Sequence, residues 1–188
     1  MNNERKWILR GGRVLNPAPF CLIGIVNVTP DSFSDGGKYI DPRNAVAHGL
    51  RLLDEGAGML DLGAESTRPF AEPVPEGEEI ARLMPVVARL REQRPDAVLS
   101  VDTLKAGTAR AALEGGADII NDVSACVADP ALLDVLAEYK PGYVLMHSQG
   151  SPREMQVNPR YGNVVEEILA FFEEHLARLV KAGLPEDR

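Results

Sequence analysis

Five times along the chain a short apolar run is followed by a longer segment of helical periodicity, and this alternation restricts the fold more than any other feature. The apolar runs cover residues 21–26, 59–62, 98–101, 119–120 and 143–146. The segments after them cover 42–55, 76–92, 105–114, 130–139 and 164–182. In the second segment Ile80, Leu83, Met84, Val87 and Leu90 recur at helical spacing, and in the last Ile168, Phe171, Phe172, Leu176 and Leu179 do the same. Asp41-Pro42 reads as a helix N-cap and first residue, and Gly56, Gly115 and Gly183 stand where helices end. Residues 21–26 lack a period-2 alternation, so that strand is expected to be buried on both faces. Five consecutive βα units require a parallel sheet, either open and doubly wound or closed as a (β/α)₈ barrel.

The strand ends favour the barrel. An open sheet concentrates reactive groups at one switch point, whereas a barrel gathers them from every strand. Here every run ends in polar residues: Asn27; then Glu65, Ser66, Thr67 and Arg68; Asp102 and Thr103; Asn121 and Asp122; and His147, Ser148 and Gln149. The first run gives way to a long polar segment, Thr29-Pro30-Asp31-Ser32-Phe33-Ser34-Asp35-Gly36-Gly37, too long for a minimal connection. Such loops beyond buried strands are where α/β proteins keep their chemistry.

With 188 residues, 45% apolar and 26% charged, one domain spanning 1–188 is the default expectation. Residues 1–20 read as a hairpin around Gly11-Gly12 ahead of the main fold, and 21–188 as the five units. A net charge of -8 with no basic cluster argues against a nucleic-acid partner. No run approaches the roughly 20 apolar residues of a membrane span, and the N-terminus lacks the apolar stretch of a signal peptide. Cys21 and Cys126 have no metal spacing and read as buried thiols in a reducing compartment, so the expected location is the cytoplasm.

At the strand ends several side chains carry groups able to bind a ligand or take part in chemistry. Asp102 puts a carboxylate at the tip of a strand, although capping the helix that begins near Lys105 is an alternative use. Asn121 offers an amide that donates and accepts at once, and Arg68 a guanidinium able to grip phosphate oxygens. Met146 can pack on a flat ring or fill the core, and Asp122 reads as structural. His147 has no second His or Cys at ligand spacing, so no metal role is assigned to it.

The string Ile25-Val26-Asn27-Val28-Thr29-Pro30-Asp31-Ser32-Phe33-Ser34-Asp35-Gly36-Gly37 closely resembles the first signature of the dihydropteroate synthases, folate-pathway enzymes of the pterin-binding family. Gly63-Ala64-Glu65-Ser66-Thr67-Arg68-Pro69 is similar to the second, with Phe70 standing where the family commonly has Gly. The strings around Asp102 and Asn121 follow in the family's order. The resemblance runs from about Ile23 to the end. It implies a (β/α)₈ TIM barrel of the pterin-binding type and the condensation of 6-hydroxymethyl-7,8-dihydropterin pyrophosphate with 4-aminobenzoate.

By that resemblance Asp102 accepts a ring N–H of the dihydropterin, and Asn121 and Met146 line the same subsite. Thr67 and Arg68 meet the aminobenzoate and pyrophosphate ends, and the Phe33 loop closes with Thr67 over the aminobenzoate. Mg²⁺ is the implied cofactor, with Asn27 among its ligands and Asp35 joining on closure. A homodimer is expected of the full-length protein.

A (β/α)₈ barrel typically needs about 250 residues. Five units therefore read as the first two-thirds of such an enzyme, without the family's later Asp-Pro-Gly, Ser-Arg-Lys and Arg/His motifs, and are expected to be inactive alone. Two alternatives stand beside the synthase. A pterin-dependent methyltransferase would share Asp102 and Asn121 but leave the pyrophosphate-binding strings unexplained. A non-catalytic pterin-binding fragment would have no later motifs in the sequence beyond Arg188.

Overall fold

The computed structural model describes residues 6–29, 41–65, 73–150 and 158–188. A short hairpin comes first: β1 (Trp7–Ile8) pairs antiparallel with β2 (Val14–Leu15) across a 3₁₀ turn at Arg10–Gly12. The main sheet follows as β3 (Ile23–Asn27), β4 (Met59–Gly63), β5 (Leu99–Asp102), β6 (Ile119–Asp122) and β7 (Gly142–Leu145). The helices are α1 (Pro42–Asp54), α2 (Glu76–Gln93), α3 (Ala106–Glu114), α4 (Leu132–Tyr139) and α5 (Val164–Ala182). All four pairings in the sheet are parallel, and the spatial order β3-β4-β5-β6-β7 is the order in the chain.

That sequential order decides between the two architectures. Right-handed crossovers between sequential neighbours put every helix on the same side of the sheet, whereas a doubly wound sheet reverses direction at a switch point. Accordingly α1 packs on α2, α2 on α3, α3 on α4 and α4 on α5. The fold is α/β of the TIM-barrel type, with five of its βα units in the described residues.

The core lies between the sheet and this helix layer. Val26, Leu60, Leu62, Leu99, Val101 and Ile120 meet Leu83, Val87, Leu90, Leu113, Leu132 and Leu136, and all twelve are fully buried. Helix α1 starts where Asp41 accepts a hydrogen bond from the Arg43 N–H at 2.9 Å, with Pro42 at the first helical position. Helix α5 starts in the same way at Asn163 and stops at Gly183, whose φ of 112° a residue with a Cβ rarely adopts. No described helix is long and apolar enough to cross a membrane.

The opposite face of the sheet is lined by alternate strand residues and forms the interior side of the curve. Its lower end is plugged by the hairpin: Leu9, fully buried, packs with Met59, Val98 and Ile119. Gly142 makes room for it, since a Cβ there would lie 2.8 Å from Leu9 Cδ2. One expectation fails here. Strand β3 is not buried on both faces, because Gly24 and Val26 face the helices while Ile23 and Ile25, 52% and 63% exposed, stand on the interior face at the sheet's edge. Cys126 is buried as expected, whereas Cys21, beside that edge, is half-buried.

Candidate functional site

In a parallel sheet residues in register lie on the same face, so the strand pairings define tiers of side chains on the interior side. The upper tier runs Asn27, Gly63, Asp102, Asn121 and Val144 across the five strands. The tier below it runs Ile25, Asp61, Ser100, Ile119 and Gly142. Three of the residues singled out from the sequence thus share one tier at the carboxyl ends of their strands. Asn27 is the last residue of β3 rather than a loop residue beyond it, and its side chain is open to solvent. Met146 lies one residue past β7, half-buried and outside the hydrophobic core. Thr67, Arg68, Phe33 and Asp35, and with them Phe70, lie outside the described residues.

The capping alternative for Asp102 is not what the chain adopts. Thr103 Oγ1 accepts from the Lys105 N–H at 3.2 Å, and Asp129 reaches across to accept from the Ala106 N–H at 2.8 Å. With Glu76, which accepts from the Gly107 N–H at 2.8 Å, these satisfy the start of α3 and leave Asp102 on the interior face. Burial pushes the Asp102 carboxyl up to about 7, assisted by the negative charges of Asp61, Glu79, Asp122 and Glu65. A carboxyl so placed gains from any ligand that brings an N–H or positive charge to it.

Beneath this tier is a carboxylate that the sequence reading passed over. Asp61 accepts from Ser100 Oγ at 2.6 Å with one oxygen and from Asn121 Nδ2 at 2.9 Å with the other. A signal for it was available: Asp61 is the one charged residue in Met59-Leu60-Asp61-Leu62-Gly63, and its parity matches that of Gly63 and Glu65 on the strand. Lys105, Glu65 and Glu79 were likewise missed as a unit. The Lys105 ammonium contacts Glu65 and lies 2.6 Å from Glu79 Oε2. Burial works against its charge, but the hydrogen bonds of the two carboxylates outweigh that and hold its pKa above the ordinary value. Glu79 is 1% exposed, and its other oxygen has no hydrogen-bond partner among the described residues.

Asp122, pointing to the helix side, is structural as read. Its Oδ1 accepts from the N–H and hydroxyl of Ser124, both at 2.7 Å, and its Oδ2 from the Cys126 N–H and Tyr143 hydroxyl at 2.5 and 2.9 Å. This carboxylate ties down a turn in which Ala125 and Cys126 both take positive φ, 55° and 57°. Burial pushes the Cys126 thiol up to about 12, which rules it out as a nucleophile at neutral pH. His147 packs edge-on against Phe171 with ring centres 4.8 Å apart. Among the described residues no three His, Cys, Asp or Glu side chains gather to hold a metal. The Asn27 amide is a hard oxygen donor on the open rim, which suits a magnesium ion that takes its remaining ligands from substrate and water.

Residues 23–188 match the family described as pterin binding enzyme. The dihydropteroate synthase of Mycobacterium leprae is 45% identical over 168 residues, which are 89% of this chain and 58% of that protein. That of Escherichia coli K12 is 41% identical over 167 residues, again 89% and 58%. Among solved structures, Xanthomonas albilineans dihydropteroate synthase with 4-aminobenzoic acid superposes with a TM-score of 0.86 at 44% identity, over 99% of this chain and 65% of that one. The Burkholderia cenocepacia enzyme complexed with 7,8-dihydropteroate gives a TM-score of 0.83 at 36% identity, over 97% and 61%. The chain therefore spans about three-fifths of the length of these relatives. It belongs to the family of pterin binding enzymes.

Proposed function

We propose that the chain carries the pterin side of a dihydropteroate synthase, an enzyme that joins 6-hydroxymethyl-7,8-dihydropterin pyrophosphate to 4-aminobenzoate in folate biosynthesis. The observation that carries this reading is the in-register pair Asp102 and Asn121 on the interior face, with the Asp102 carboxyl poised near pH 7 by burial. Similarity to relatives named dihydropteroate synthase supports it.

In this reading the bond between the pterin methylene carbon and the pyrophosphate oxygen breaks first, and its electron pair leaves with the pyrophosphate. Positive charge spreads over the pterin ring. The Asp102 carboxylate accepts a ring N–H and stabilises that charge, and Asn121 holds the ring in plane beside it. The amine nitrogen of 4-aminobenzoate then forms the new C–N bond and releases a proton. Met146 packs on the ring face, Arg68 grips the pyrophosphate, and Thr67 with the Phe33 loop covers the aminobenzoate. Magnesium, when bound, supplies neutralisation of the pyrophosphate charge, and Asn27 with Asp35 would hold it. The cytoplasmic location expected from the sequence and the homodimer expected from the resemblance belong to the same proposal, checked by fractionation and by sedimentation.

Charge at Asp102 matters most once the cation forms, so Asp102→Asn lowers kcat far more than it weakens binding of the pterin substrate. A loss on the order of 10²–10³ in kcat is expected for a preorganised charge-stabilising group. Steady-state kinetics of the full-length enzyme beside calorimetric affinity make the comparison, and an unchanged kcat there would overturn the role.

A further inference from the structure

We propose that Asp61 is a positioning residue of the pterin subsite, which fixes the orientation of the Asn121 amide from the tier below. The inference rests on the pterin reading of the site and goes beyond it in naming a residue that touches no ligand. An ionised carboxylate can only accept hydrogen bonds, so the group that Asn121 turns toward Asp61 has to be its NH₂. The 2.9 Å bond from Nδ2 to Asp61 Oδ2 therefore leaves Oδ1 and the second Nδ2 proton for the ligand in one fixed order. Without that anchor the amide could turn over and exchange its donor and acceptor.

Asp61 is itself held. Its other oxygen takes the Ser100 hydroxyl at 2.6 Å, and Ser100 is fully buried on the neighbouring strand. Both partners come from strands in register with β4 or one strand beyond it, so the spacing is set by the sheet rather than by loops. Asp61 also acts on the neighbouring acid. The charges that act on Asp102 are those of Asp61 on β4, Glu65 just after it, Glu79 on α2 and Asp122 on β6, with the Lys105 ammonium engaged by Glu65 and Glu79. Among those carboxylates Asp61 contributes most to raising the proton affinity of Asp102.

The test uses Asp61→Asn, which keeps shape and removes charge, in wild-type and Asn121→Ala backgrounds, with 6-hydroxymethylpterin as the calorimetric probe. A hydrogen bond to a charged group is worth more than a neutral one, so Asp61→Asn should weaken the probe on the order of tenfold. That loss should vanish when Asn121 is already Ala, because Asp61 then has nothing to orient. Wild-type affinity in Asp61→Asn, or a loss that persists undiminished in Asn121→Ala, overturns the proposal.

A second readout needs no ligand. With carboxyl-labelled aspartate, the NMR midpoint of Asp102 should fall in Asp61→Asn, because the neighbouring charge that raises it most is removed. If wild type fails to bind the probe, the pterin reading fails by itself, and an Asp102 midpoint unmoved by Asp61→Asn then overturns the inference as well. If Asp61→Asn does not fold, the swap Asp61→Asn with Asn121→Asp keeps the bond with its polarity reversed. The swap should fold and bind the probe at least tenfold more weakly, and wild-type affinity in it would overturn the proposal.

Discussion

Asp102 is buried within reach of the charges of Asp61, Glu79, Asp122 and Glu65, and the protein bears the cost of that arrangement as instability. An unfolded aspartate loses its proton near pH 4, whereas burial and these charges hold the folded one up to about 7. Between those values the native state binds more protons than the unfolded state, so the contribution of Asp102 to stability falls as pH rises from 4 to 7 and stays low above. Asn cannot ionise. Asp102→Asn should therefore have the wild-type Tm near pH 4 and a higher Tm at pH 8, the gap opening across that window. Thermal melts at the two pH values check it, and a gap of the same size at both would remove Asp102 as its cause. Its position was legible because it ends an apolar run, as does Asn121. For Asp61 the sequence holds only a signal of parity, because a single carboxylate inside a five-residue strand looks like an interruption until strand register brings it to Asn121.

At the scale of elements, periodicity and caps located the five described helices and the five strands of the main sheet, because α1 to α4 each bury one apolar stripe and most helices end at residues with a local physical reason to stop. Helix α5 begins and ends at the predicted residues, where Asn163 caps it and Gly183 terminates it. Helix α4 begins at Leu132 rather than at 130, and the reason lies outside its own sequence. Asp129 accepts from the Ala131 N–H at 3.1 Å and at the same time caps α3 through the Ala106 N–H, so the chain turns before the helix starts. Such a bond between residues 23 apart leaves no trace in a local pattern. Burial of β3 was misjudged for a related reason: an apolar run shows that a strand can be buried on both faces, but what covers its second face is set by distant chain. Asp129→Ala removes one acceptor serving two helix starts, and should cost about 1–2 kcal/mol of stability. Asp129→Asn should recover most of it. Chemical denaturation measures both, and equal losses in the two variants would mean that the cap is not the source.

For the molecule as a whole, the relevant geometry is that of a barrel wall. Among the described residues the sheet has two edges, β3 and β7, and a helix layer on one face only. At the β3 edge Ile23 and Ile25 are more than half exposed, and at the other end Leu176 and Val180 of α5 line an apolar cleft with Tyr143, Leu145 and Leu184. A closed barrel would cover both regions, since its strands have no edges and its helices form a continuous ring. Roughly two-fifths of the length of these relatives lies outside the matched region, and that share corresponds to about three βα units. In the proposed reaction the charge of pyrophosphate would be balanced in part by cationic residues of those units, since acidic groups dominate around Asp102 and the net charge is -8. Residues 1–188 purified alone should therefore bind ANS strongly and form no dihydropteroate from the two substrates and Mg²⁺, since losing even one charge-stabilising group typically costs on the order of 10²–10³ in rate. Fluorescence with ANS and a coupled pyrophosphate-release assay read the two outcomes. Turnover close to that of a complete synthase would show that five units suffice, and the placement of the pyrophosphate-binding charges outside them would then be wrong.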